Sequence, residues 1–185
     1  CQAIDISALK SVPPNATTQM RFTGNLNSNI GVNYAIGTAD VPIPFDPDTH
    51  SPVGGEAVII SRDVYDALGN KQTVYFRYFK AYTDVDTDGE LDDIKWFCDI
   101  SLDPEFSGTL AAYNSNSPDG ISSNTVRLSD DIITFDNNGY FNGTPSINLV
   151  IDRDEYNTED IDFTIDFSRL TQWESKSTAW AEYQD

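Results

Sequence analysis

Apolar and polar residues alternate every second position over most of this chain. Ile161-Asp162-Phe163-Thr164-Ile165-Asp166-Phe167 is the cleanest case, and a period of two belongs to a strand with one packed and one wet face. Val74, Phe76 and Tyr78 alternate with Thr73, Tyr75 and Arg77 in a second stretch. Residues 57–64, 94–102, 131–135 and 147–151 supply four more strands, and Arg21-Phe22-Thr23 a weaker one. Turn signals stand between them: Leu68-Gly69-Asn70, Asp88-Gly89, Pro118-Asp119-Gly120, Asn138-Gly139 and Asn142-Gly143. No window sustains a 3.6-residue apolar repeat for three turns. This pattern predicts an all-β fold, an antiparallel β-sandwich or barrel. Residues 38–55 hold four prolines and read as a long loop.

Charge narrows the function classes. The chain has 185 residues, 11 basic against 30 acidic, for a net −19. Phosphate neutralisation needs clustered Lys and Arg, so a nucleic-acid partner is not expected. Docking on anionic lipid fails on the same ground, and no apolar run nears the roughly 20 residues that span a bilayer. With 39% hydrophobic and 12% aromatic residues the chain is too apolar for a disordered acidic segment. No basic region followed by an apolar core opens it, and no Met begins it, so it reads as a processed chain or a fragment without a signal peptide.

Candidate chemistry is sparse. His50 lies in Asp46-Pro47-Asp48-Thr49-His50-Ser51-Pro52, a surface turn, and no GxSxG offers it a nucleophile. One histidine and two cysteines without a CxxC pair cannot complete a zinc site. Cys98 shares a face with Ile94, Trp96 and Ile100 and is expected to be a buried, inert thiol. Cys1 falls on the face opposite Ile4 and Ile6 and is expected to be accessible. Asp84-Val85-Asp86-Thr87-Asp88-Gly89-Glu90-Leu91-Asp92 follows D-x-D-x-D-G-x-x-D, so Asp84, Asp86, Asp88 and Asp92 are candidate calcium ligands. Lys95 stands where an EF-hand needs a bidentate Glu and the flanks are strands, so the EF-hand is rejected. A calcium-binding β-loop and a solvated acidic tip both remain open. No two carboxylates are singled out by spacing as a glycosidase pair, and an enzyme is not expected.

Four segments, in order, resemble the flagellar hook protein of bacteria. Ala16-Thr17-Thr18-Gln19-Met20-Arg21-Phe22-Thr23-Gly24-Asn25-Leu26-Asn27-Ser28 is similar to that family's A-T-x-x-x-x-x-G-N-L-D-S. Val64-Tyr65-Asp66-Ala67-Leu68-Gly69-Asn70 resembles V-Y-D-S-L-G-N, and Ile133-Thr134-Phe135-Asp136-Asn137-Asn138-Gly139 resembles L-x-F-D-x-x-G. Ile161-Asp162-Phe163-Thr164-Ile165-Asp166-Phe167-Ser168-Arg169-Leu170-Thr171-Gln172-Trp173 resembles I-x-I-D-F-S-G-L-T-Q-F.

The resemblance implies a structural subunit of the hook, the flexible joint between rotary motor and filament. Residues 16–170 would be its outer all-β domain. Residues 1–15 and 171–185 would be stems to an inner domain, with the chain ends close together. Implied partners are other hook subunits and the flagellar export, hook-cap and junction proteins, and the implied place is outside the cytoplasm. In spirochetes that place is the periplasm, and hook subunits there are joined by lysinoalanine, made from a cysteine near the domain boundary and a lysine of a neighbour. Cys1 occupies about that position. Its thiol thus admits three readings: crosslinking residue, ordinary exposed thiol, or disulfide partner of Cys98. The rival reading from another class is a secreted calcium-dependent adhesin or carbohydrate-binding module, with Trp96, Trp173 or Trp180 stacking on sugars. The alternation of these Trp residues with Ile and Phe favours core or interface positions instead.

Overall fold

The structure is a computed structural model that describes residues 15–36, 42–43, 51–83, 93–114, 120–153 and 159–183. Among them every regular element is a strand. In chain order these are β1 Gln19–Asn27, β2 Val32–Asn33, β3 Ala35–Ile36, β4 Pro42–Ile43, β5 Ala57–Tyr65 and β6 Lys71–Thr83. There follow β7 Asp93–Ser101, β8 Leu110–Ala112, β9 Thr125–Arg127, β10 Ser146–Ile151, β11 Ile161–Trp173 and β12 Trp180–Tyr183. One sheet has the order β10-β11-β1-β12, the other β2-β6-β7-β9-β8 with β5 also on β6, and β3-β4 form a small ribbon. Two sheets facing one core make a sandwich.

The period-two pattern places that core. Ile161, Phe163, Ile165 and Phe167 of β11 are buried, as are Val74, Phe76 and Tyr78 of β6 and Trp96, Cys98 and Ile100 of β7. Phe22 of β1 sits at the centre. Its ring meets Phe76 edge-on at 4.8 Å and Tyr78 at 5.7 Å, and stacks on Phe167 at 5.7 Å. Cys98 is fully buried as expected, and burial pushes its thiol well above the ordinary pKa. Tyr78 lies opposite it in register, and the Tyr78 hydroxyl, fully enclosed, finds no partner stronger than that thiol. Replacing Tyr78 by Phe should therefore leave stability unchanged or raise it by up to about 1 kcal/mol. Urea denaturation of both proteins checks this, and a loss of stability would refute it.

The sheets are mixed, where a purely antiparallel arrangement was expected. β1 runs parallel to β11, β2 to β6 and β8 to β9, while the other strand pairs are antiparallel. The reason is connectivity. A tight hairpin forces antiparallel pairing, but β1 and β11 come from opposite ends of the chain and no turn ties their directions. A second correction concerns residues 131–135, which form a turn and one bridge, Phe135 to Phe141, not a strand. Ile132 and Ile133 are both buried, which consecutive residues of a half-wet strand cannot be.

The outer face of β6 is also drier than alternation suggests. Phe79, Ala81, Phe97 and Ala35 form a separate small core there, with Phe79 and Phe97 stacked at 5.6 Å. Beside it, fully buried Asp99 receives hydrogen bonds from Arg77 and Arg127. At the far side of the sandwich β12 pairs with β1, Met20 lying opposite Tyr183. The two ends of the described chain therefore leave side by side.

Candidate functional site

Each candidate from sequence has a definite status. Cys1, His50 and the four loop carboxylates Asp84, Asp86, Asp88 and Asp92 lie outside the described residues. Trp96 is buried and donates its indole N–H to Gln172 Oε1, so it offers no sugar-stacking face. Trp173 and Trp180 are exposed. Among the described residues no group of three or more His, Cys, Asp or Glu side chains could hold a metal ion.

The structure brings the four resembling segments together, and two of them close through one recurring device. Asp66 Oδ1 accepts the N–H groups of Leu68 and Asn70, at 2.9 and 2.8 Å, and the Gly69 N–H returns to the Asp66 carbonyl. Asp136 repeats this with Asn138, Tyr140 and Gly139. The side chain here closes a turn that the backbone alone would leave open, and the fourth residue needs φ > 0. Gly69 has φ 85° and Gly139 φ 80°. Asp103 builds the turn a third time, with Glu105, Ser107 and Phe106. There the left-handed residue is Phe106, φ 53°, a strained choice for a side chain with a Cβ. Its ring covers the Arg77 guanidinium at 4.4 Å, a cation–π contact that offsets the strain.

These turns are then docked. Gly139 presses on β11: its carbonyl accepts from Gln172 N–H, and Trp173 Nε1 donates to Asn138. A Cβ on Gly139 would lie 2.2 Å from the Gln172 carbonyl oxygen, so this position has no room for any other residue. Across β1, Asn25 clasps the turn between β11 and β12. Its Oδ1 accepts from Trp173 N–H at 2.7 Å and its Nδ2 donates to Ser175. At the end where the chain enters and leaves, Thr17 bonds Tyr65 through backbone and hydroxyl. Asp66 takes a further bond from Arg153 at 2.8 Å. Asn25 and Arg153 were not singled out by sequence reasoning. The Gly-Asn pair was visible as a motif, while Arg153 left no local signal.

The Asp66 carboxyl is pushed up by burial, but the bonds from Asn70 and Leu68 and the Arg153 charge outweigh this and hold it below the usual carboxylate value. A depressed folded-state pKa adds stability above the unfolded value of about 4, lost as pH falls through the folded value. Wild type should thus be more stable than Asp66→Asn from about pH 5 upward, with the gap shrinking below about pH 4. Thermal melts of both proteins from pH 7 to pH 3 check it, and a gap that widens in acid would contradict it.

The arrangement is a scaffold: carboxylates close turns and asparagines tie loops. A comparison with curated proteins finds no match to this chain. The family model described as flagellar basal body protein FlaE D2 domain matches residues 25–185, a span that contains the clasp at Asn25, all three Asp turns and both outer strands of the first sheet. The chain belongs to that family, the D2 domain of the flagellar hook protein.

Proposed function

We propose that this chain is the outer β-domain of a hook subunit and works by assembly with other copies of itself, with no substrate to turn over. The observation that carries this reading is the placement of the chain ends. Met20 and Tyr183 are paired at one edge of the first sheet, as suits a domain whose two chain ends return together to an inner tube. A family of hook domains is structural and belongs to the flagellum outside the cell. Export and cap proteins would handle the subunit before it reaches its place. The test is electron cryomicroscopy of hooks built from full-length subunits with and without residues 16–170. Loss of outer density around an intact inner tube is expected, and an unchanged outer radius would refute the reading.

Cys1 is proposed as the crosslinking residue. A base removes its Cα proton and the sulfur leaves as hydrosulfide, giving dehydroalanine. A neutral lysine amine of the next subunit then adds to Cβ, and Cα regains a proton. Mass spectrometry of hooks under denaturing, reducing conditions should show linked subunits; monomers that retain a free Cys1 thiol would eliminate the crosslink. Such a link would make the hook of the spirochete type, lying in the periplasm. Asp84, Asp86, Asp88 and Asp92 are proposed calcium ligands, which predicts a higher melting temperature with added calcium than with chelator.

A further inference from the structure

Most cations of the described chain are already satisfied within it. Arg21 pairs with Asp166, Lys71 with Asp63, Lys95 with Asp130 and Arg153 with Asp66, and Arg77 and Arg127 share Asp99. Arg62 and Lys80 donate to the carbonyls of Ala181 and Ser28. That leaves Arg169 and Lys176, exposed and without a bonded partner among the described residues.

Arg169 is on β11 and Lys176 in the turn that follows it. Arg169 lies opposite Thr23, whose other neighbour is Trp180, and Lys176 is in the turn clasped by Asn25. Around them Tyr140, Trp173 and Trp180 are 57%, 46% and 45% exposed. Trp, Tyr and Arg are the residues that dominate protein–protein binding energy. Unpaired cations among bare aromatics, on a chain of net −19, suit an acidic protein surface.

Such a surface exists on the same chain. A groove of about 450 Å³ opens beside β7, lined by Asp93, Asp130 and Asp131 with Trp96 and Phe135. The two rings meet edge to face at 6.3 Å. Lys95, in the same groove, pairs with Asp130. Among the described residues no ion pair holds Asp93 or Asp131, and Asp131 Oδ1 accepts only from the Ser129 hydroxyl. The half-buried Phe135 ring gives this groove an apolar wall beside the carboxylates, which suits a lysine or arginine, its methylenes on that ring and its charge on the oxygens.

We infer that Arg169 and Lys176 of one copy dock at the Asp93–Asp131 groove of the next, an inference that rests on the assembly reading above. The two surfaces differ, so the contact can repeat head-to-tail from copy to copy into an open helical array. It is also exposed and screened by salt beyond about 8 Å. It therefore supplies attraction between subunits of like charge while staying weak enough to break and re-form as the tube bends.

The test uses full-length subunits with Cys1→Ser, carrying Lys176→Cys together with Asp131→Cys. Hooks isolated and oxidised should give a ladder of disulfide-linked subunits on non-reducing gels, and either substitution alone should give none. In a second arm, Lys176→Glu with Arg169→Glu should lower the polymerised fraction several-fold, and Asp93→Lys with Asp131→Lys should restore it. Normal hooks with no ladder, or charge reversals without effect, overturn this contact and leave assembly standing. Failure of the wild-type chain to form hooks would overturn both.

Discussion

Asp99→Ala should destabilise this domain by about 3–5 kcal/mol, the range for removing one partner of a buried ion pair. Asp99 is wholly enclosed and Arg127 is 3% exposed. Asp99 Oδ1 accepts from Arg127 Nε at 2.6 Å, while Oδ2 accepts from Arg127 Nη2 at 2.9 Å and from Arg77 Nη2 at 2.6 Å. Alanine would leave two guanidinium groups beside one another without this counter-charge. The aromatic faces of Phe79 and Phe106, 5.4 Å from Arg127 and 4.4 Å from Arg77, cannot replace a carboxylate, because a cation–π contact is worth only about 0.5–2 kcal/mol. Replacing Arg77, Asp99 and Arg127 together by Met, Leu and Met should recover most of the loss, since no charge then remains to desolvate. Urea denaturation at constant m-value measures both. A loss below about 1 kcal/mol for Asp99→Ala would show that other groups carry the charge balance.

Phe22→Ala should cost a similar amount, about 3–5 kcal/mol, for a different reason. Phe22 is fully buried and its ring touches rings from both sheets: Phe76 and Tyr78 of one, Phe167 of its own. Truncation opens a void between β1, β11 and β6 that close-packed neighbours cannot fill. For a chain of this size that loss lowers the melting temperature by roughly 10 °C. Phe22→Leu, which keeps most of the volume, should lose less than half as much. Calorimetry separates the two. Equal losses would mean that the edge-to-face geometry of the ring, and not its volume, holds the sheets together.

Local rules made much of this legible. The alternation in β11 and β6 marked which side chains are buried because successive residues of a strand point to opposite faces. Gly69 and Gly139 were readable as left-handed positions since only glycine enters that region freely. The Asp at the head of each turn was part of the same pattern, although its bonds to the N–H groups two and four residues on were not foreseen. Other features left no local trace. Ile132 and Ile133 fit the strand template until both were found buried in a turn. Phe79, opposite in phase to Phe76 and Tyr78, is covered by Phe97 and Ala35, which no local period marks. Of the candidate site, the motif residues stood out by their order along the chain, whereas Arg153, Arg169 and Lys176 acquired meaning only from which cations had already found partners.

The sequence by itself determined the all-β character, the dry face of each long strand and the places where the chain reverses, because these depend on residues a few positions apart. The tertiary structure alone decided that β1 lies parallel to β11, that a second small core covers the back of β6, and which charges neutralise which. Those outcomes are contacts between residues far apart in sequence, such as Arg21 with Asp166 and Arg153 with Asp66. Their energies exist only once folding has brought the partners within a few ångströms, and a local period carries no record of them.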